Sequence, residues 1–338
     1  MKTNFNKVLA GCLILIGQFT ASAWDYGVHR KINELAITIL PTNFPGFVCM
    51  PENVERIAFL SGEPDRWRNT PDLPLKHFNG PDHYIDVEDL DDYGLTLGNL
   101  PELRYDFIAE LAAGRMNSPG SWAHLSDENN KDHTKELCGL LPWTISEYYS
   151  RLKSAFSYLR AFHEAGGTPE EIANARQNII YLMGVMGHYV GDAAQPLHTT
   201  KHYNGWVGVN PEGYTTSRTI HGYIDGGYWK TAGLPEAKEL ESKLHIATLI
   251  QIDGKVAAPD QIFQTVLNFI QNQHARVEQL YRLEKSGGFN VETKSAEQGR
   301  EFLTDQIAAA AQELANLWVS AWQQAPEDTF LINRLRER

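Results

Sequence analysis

The stretch Gly187-His188-Tyr189-Val190-Gly191-Asp192-Ala193-Ala194-Gln195-Pro196-Leu197-His198 gathers three side chains of metal-ligating type in one short run. His188 and Asp192 are four apart on a predicted helix, so they share a face with Cβ atoms about 5–6 Å apart. Pro196 lacks an amide hydrogen and crowds the Asp192 carbonyl, which predicts that the helix kinks or ends there and sends His198 along a separate path. The four-residue spacing returns in His221-Gly222-Tyr223-Ile224-Asp225. A third element is His83, in His83-Tyr84-Ile85-Asp86, with Asp65 upstream in Gly62-Glu63-Pro64-Asp65-Arg66-Trp67. Each pair has an ordinary alternative, in which the histidine packs in a bundle and the aspartate meets a lysine. Neutral imidazoles with carboxylates and no thiolates point to zinc before copper or iron–sulfur.

The amino end carries its own signal. Lys2 and Lys7, an apolar run from Val8 to Phe19 and Ala21-Ser22-Ala23 read as an export signal over residues 1–23. That run is too short to span a bilayer. Leu9-Ala10-Gly11-Cys12 has the look of a lipidation box but precedes most of the apolar stretch, which argues against lipid attachment. Cleavage after Ala23 would make Trp24 the first residue, and an α-amine with a pKa near 8 can bind a metal once deprotonated. Its nitrogen and the Trp24 carbonyl could then chelate an ion beside His29; in the alternative, His29 only begins a helix. Cys49 and Cys138 would be the two cysteines left, with a single disulfide between them open.

These residues need a scaffold, and helical periodicity supplies it. Apolar positions recur at three- and four-residue spacing over Arg30 to Leu40, Leu103 to Arg115, Ile145 to Ala165, Glu170 to Gly191, Ile262 to Leu283 and Gln298 to Gln323. Strand signals are few, so the expected fold is all-α, a compact multi-helix single domain over residues 24–338. Stretches rich in Gly and Pro, at Pro41 to Pro51, Pro71 to Pro81 and Lys201 to Arg218, read as long binding loops.

Composition narrows the partners. With 30 Lys+Arg against 42 Asp+Glu the formal charge of the 338 residues is −12, and losing Lys2 and Lys7 takes it to −14. No broad basic face can track a nucleic-acid backbone, so phosphate binding must come from local cations or metals. Beyond the signal no apolar run reaches membrane-spanning length, and stable membrane insertion is not expected.

A signal ending before Trp24, then His29, Asp65, His83-Tyr84-Ile85-Asp86, the 187–198 stretch and His221-x-x-x-Asp225, resembles the S1/P1 nuclease family. The same order is similar to bacterial zinc-dependent phospholipase C, its structural relative. The resemblance covers Trp24 to Asp225. It implies three zinc ions around a cleft: Asp65, His83, His188 and Asp192 on the first, His198, His221 and Asp225 on the second. The Trp24 amine and carbonyl, His29 and Asp192 would hold the third, with the two Asp192 oxygens bridging it to the first. Between Pro196-Leu197-His198 and His221 the family has a Gly-Gly-Asn element, where this chain has Asn204-Gly205-Trp206-Val207-Gly208-Val209-Asn210-Pro211.

The implied chemistry is hydrolysis of a phosphodiester by a zinc-activated water, with no covalent intermediate. Asp86 is expected either to orient that water or to hydrogen-bond a ligand imidazole, and Asp65 can hold the water through its second oxygen. Tyr84, His202, Trp206 and Tyr223 are candidate substrate contacts, as rings able to stack on a base. The expected substrate is single-stranded DNA or RNA, or nucleotides. A phospholipid or phosphomonoester on the same scaffold is the second reading, and a zinc-stabilised binding protein without turnover the third.

Overall fold

The computed structural model describes residues 24–117, 128, 130–258 and 261–338. Residues 1–23, read from the sequence as an export signal and including Leu9-Ala10-Gly11-Cys12, lie outside them. The expectation of an all-α fold holds: among the described residues, named strands are confined to the two-residue pair Gln251–Ile252 and Lys255–Val256.

Helix α1 (Tyr26–Thr38) begins where Asp25 accepts a hydrogen bond from the Val28 amide. Three short helices follow, α2 (Pro51–Leu60), α3 (Glu63–Arg68) and α4 (Leu73–Asn79), each with a proline in its first two positions. The first amides of a helix have no intrahelical partner, so proline starts a helix at no cost there. This corrects the reading of Pro71 to Pro81 as a loop, since α4 fills most of it. In Pro41 to Pro51 a 3-10 turn, Gly46–Cys49, interrupts the connection.

After α5 (Arg104–Asn117), the long pair α6 (Leu141–Ala165) and α7 (Pro169–Ala194) forms the centre of the molecule. Gly166 ends α6 in the left-handed region at φ +85°, and Thr168 with Glu171 makes a capping box that starts α7. As Pro196 predicts, α7 stops at Ala194, and a 3-10 turn, Pro196–His198, carries the chain away. Then come α8 (Ile220–Gly222), a π turn Tyr223–Gly227, α9 (Tyr228–Ala232) and α10 (Ala237–Leu240). The stretch expected as one helix from Ile262 to Leu283 is two, α11 (Ile262–His274) and α12 (Val277–Lys285), with the turn at Ala275-Arg276. Helices α13 (Ala296–Gln323) and α14 (Thr329–Arg336) close the chain.

Helix α7 is the hub, with α1, α2, α6, α11 and α13 packed round it. Every residue from Met183 to Ala194 is buried. One continuous apolar core runs from Trp24 to Ala325. Cys49 is exposed, Cys138 is buried, and both are free.

A side chain in the core explains how α1 comes so close to α7. Asn33 Nδ2 donates to the carbonyls of Ile57 at 2.9 Å and Gly184 at 3.0 Å, which ties α1 to α2 and α7 together. Gly187 leaves the room this needs, because a Cβ there would stand 1.7 Å from Asn33 Oδ1. Gly187→Ala should therefore cost about 1–3 kcal/mol in denaturant unfolding, whereas an unchanged midpoint would contradict the packing.

Helix α13 carries a second testable feature. Burial pushes the Glu313 carboxyl from its ordinary 4.5 up to about 7, and its Oε1 has no hydrogen-bond partner. A folded value above the unfolded one gives a contribution fully present below about pH 4.5 that is lost as pH rises through about 7. Glu313→Gln should match the parent in thermal stability near pH 4.5 and exceed it above pH 7. Parallel pH curves would count against this.

Candidate metal centre

The face of α7 that carries His188 and Asp192 meets His29 from α1, Asp65 from α3 and His83 from the turn Gly80–His83. Close approach again depends on glycine: a Cβ on Gly191 would lie 2.8 Å from His29 Nδ1. On the other side, His198 leaves the 3-10 turn beside His221 and Asp225, the pair four apart that spans α8 and the π turn. Backbone bonds lock these segments. Ile85 N donates to His198 O at 2.9 Å, and Asp25 N donates to Asp225 O at 3.0 Å.

Among the described residues, three groups result whose ligand atoms lie within 4.8 Å of one another: His29, His188 and Asp192; Asp65, His83 and His188; His198, His221 and Asp225. These buried His/Asp groups around Asp192 could hold metal ions. Asp192 is fully buried and divides its oxygens. Its Oδ2 stands 2.9 Å from His83 Nδ1 and 3.3 Å from His188 Nε2, while Oδ1 is 3.4 Å from His29 Nε2.

The imidazoles are set up to present lone pairs inward. His188 Nδ1–H donates to Ser61 O and His198 Nδ1–H to His83 O, both at 2.7 Å. A carbonyl only accepts, so each Nε2 is left as the acceptor nitrogen. His188 Nε2 then faces His83 Nδ1 at 2.9 Å, and His198 Nε2 faces His221 Nε2 at 3.0 Å. Nitrogens bound to one zinc at about 2.0–2.1 Å fall roughly 3 Å apart when the angle between them is near 90°, so the spacings suit a shared cation.

Five buried atoms of the set have no hydrogen-bond partner: His29 Nδ1 and Nε2, His83 Nε2, Asp192 Oδ1 and His221 Nδ1. Each such atom costs about 1–3 kcal/mol when left unsatisfied. The donor set of imidazole nitrogens and carboxylate oxygens fits a divalent cation of zinc type, which would satisfy inward-facing members of it.

Charge follows the same logic. Burial, joined by the nearby Arg68 guanidinium, pushes His83 down to about 3, and burial also lowers His29 and His198. Neutral imidazole is the form that binds metal, whereas at His188 burial is outweighed by the Asp192 and Asp65 carboxylates, which raise it. Burial would raise the Asp192 carboxyl, but the His188 and His198 imidazoles hold it well below the usual carboxylate range. Burial would likewise raise the partly buried Asp65, but Arg68, His188 and His83 draw it down to about 2.

The remaining expected residues are placed as follows. Trp24 is fully buried, its indole Nε1 donating to Gly191 O at 3.0 Å, so residue 24 is anchored beside α7 and the π turn. Asp86 belongs to none of the three groups. Burial, with Asp89 and Glu88 adding to it, pushes its carboxyl well above the usual range, which favours a neutral donor over an anionic base. Tyr84 donates to the carbonyls of Thr134 and Leu137, and Tyr223 to that of Phe289. His202 is buried and stacks on Trp206 at 3.9 Å, while Trp206 donates to Val209 O. The His202 and Trp206 contacts tie the 201–218 loop to itself.

Two supporting residues were not assigned roles from the sequence. Gln195 Nε2 donates to Asp225 Oδ1 at 2.6 Å and Gln195 Oε1 accepts from Leu197 N, which turns Asp225 Oδ2 toward His221 Nε2 at 2.9 Å. Asp25 packs so closely on Gly226 that a Cβ there would lie 2.6 Å from Asp25 Oδ2. The signal for Gln195 was its place between Asp192 and His198; nothing local marks Asp25 beyond its role as a helix cap.

A scan against protein-family models gives no match, and a search of curated proteins finds no relative. Gln195→Ala should weaken zinc at the His198, His221 and Asp225 group by about 10–100-fold in a chelator competition titration. Unchanged affinity would show that Asp225 needs no partner.

Proposed function

We propose that this protein is an exported zinc-dependent phosphodiester hydrolase of S1/P1 nuclease type that cleaves single-stranded nucleic acid. The observation that carries the reading is Asp192, buried with its Oδ2 toward His83 and His188 and its Oδ1 toward His29. A carboxylate split in this way suits a bridge between two cations. Asp65, His83, His188 and Asp192 would hold one zinc, and His198, His221 and Asp225 a second. His29 and Asp192 would hold a third with the Trp24 amine and carbonyl, once residues 1–23 are removed.

Bound zinc lowers the pKa of a coordinated water toward neutrality and draws charge from phosphoryl oxygens. The chain's own part is to fix the ligands. Ser61 and the His83 carbonyl set the tautomers of His188 and His198, and Gln195 aims Asp225. Asp65 can accept a hydrogen bond from the attacking water, orienting it toward phosphorus. A processed chain of formal charge −14 could then attract a phosphodiester, because cations held by these residues would supply positive charge at the site.

The test is an activity panel on the processed, zinc-loaded protein before and after chelation. Release of acid-soluble nucleotides from single-stranded DNA or RNA, abolished by chelator and restored by zinc, is the expected outcome. Release of phosphocholine from vesicles without nucleotide release would replace the nuclease reading with the phospholipase one. Inertness toward every phosphate ester would favour a zinc-stabilised binding protein.

A further inference from the structure

A cavity of about 560 Å³ opens where the connection after α1 meets α6, α7 and α13, and no residue of the His/Asp set lines it. Phe47, Phe156, Leu159 and Trp322 form an apolar wall. Buried Phe44 braces that wall from behind, meeting the Phe156 ring edge-on at 6.0 Å and the Trp322 ring at 5.2 Å, so the hollow is held open by packed core. Arg176 lines the cavity from the first half of α7, about 18 Å along the helix axis from His188. Its guanidinium lies 5.4 Å over the Phe47 ring, and its buried Nε has no hydrogen-bond partner. Among the described residues Arg176 makes no hydrogen bond or ion pair at all, which leaves a charged donor group facing an apolar hollow without an acceptor. We propose that this cavity is a binding site for a monocarboxylate with an apolar body, such as an aryl-alkyl or fatty acid anion, whose carboxylate meets Arg176 and whose body lies on the wall of Phe47 and Trp322. The site stands apart from the metal centre and does not depend on the hydrolase reading.

Charge selects the head group. Arg160, the second arginine of the lining, donates to the carbonyls of Ala325 at 2.9 Å and Trp322 at 3.5 Å, which leave its charge unmatched. Glu164 is exposed at the cavity and forms no ion pair with either arginine. Two positive charges against one negative leave a single positive charge to be met, which a monoanion does and a dianionic phosphate monoester exceeds. A quaternary ammonium would face two like charges, and a neutral lipid would bury Arg176 with its donors still unmet. The planar fork of a guanidinium pairs with a carboxylate through two parallel hydrogen bonds. The body is selected by the wall and by Met50, an apolar lining residue that keeps 45% of its surface exposed and that an apolar ligand would cover. The volume falls within the roughly 300–1,000 Å³ of small-molecule sites.

Calorimetric titration of 4-phenylbutyrate into the processed, zinc-loaded protein tests the proposal. The parent should bind one equivalent, and Arg176→Gln should bind about tenfold or more weakly. Arg176→Lys should fall between them, since the charge stays and the fork is lost. The alcohol 4-phenylbutan-1-ol, with the same body and no charge, should bind the parent about tenfold or more weakly than the acid. Phe47→Ala should weaken the acid severalfold, and Arg282→Gln, at an exposed pair with Glu278, should leave it unchanged. A carboxylate can also ligate zinc, so equal binding by parent and Arg176→Gln would place the acid on the metal and overturn the site. No binding by the parent at millimolar acid, or an alcohol bound as tightly as the acid, would overturn it too.

Discussion

A carboxylate buried out of contact with water has to be balanced, and the centre of this molecule is organised around that requirement. Asp192 reaches His83, His188 and His29 within 3.4 Å, yet burial lowers two of those imidazoles. A buried anion surrounded by partly neutral rings is costly unless further positive charge arrives. A divalent ion would supply it and would occupy lone pairs of the His/Asp set. The same arrangement that makes the buried carboxylate costly therefore suits a cation.

The surrounding helices serve that balance. Helix α7 presents His188 and Asp192 only because α1 can lie against Gly187 and Gly191, and Asn33 holds α1 there through two carbonyls. Carbonyls of Ser61 and His83 choose the tautomer of the neighbouring imidazoles, so the backbone decides which nitrogen looks inward. Loss of any of these would misalign the ligands, because preorganisation is what makes a ligand set selective.

Much of this was legible in the chain. His188 with Asp192 follows from helical periodicity, and the end of α7 follows from Pro196. His221 with Asp225 was found by the same four-residue spacing, although the backbone between them passes from α8 into a π turn that no periodicity signals. The start of α4 at Leu73 was hidden because Pro74, taken as a loop marker, sits where proline favours a helix start. The break at Ala275-Arg276 carried no Gly or Pro. Long-range partners such as Ser61 for His188 could not be read at all, since a carbonyl acceptor belongs to every residue. For Tyr84, His202, Trp206 and Tyr223, aromatic character does not reveal the long-range and loop contacts that these side chains make.

A His/Asp set that holds several cations and is completed by residue 24 has a direct readout in the metal content of the natively processed protein, measured by mass spectrometry after saturation and removal of loose ions. About three zinc ions per chain and a first residue of Trp24 are expected. A chain that starts elsewhere, or that retains no zinc at saturation, would contradict that expectation.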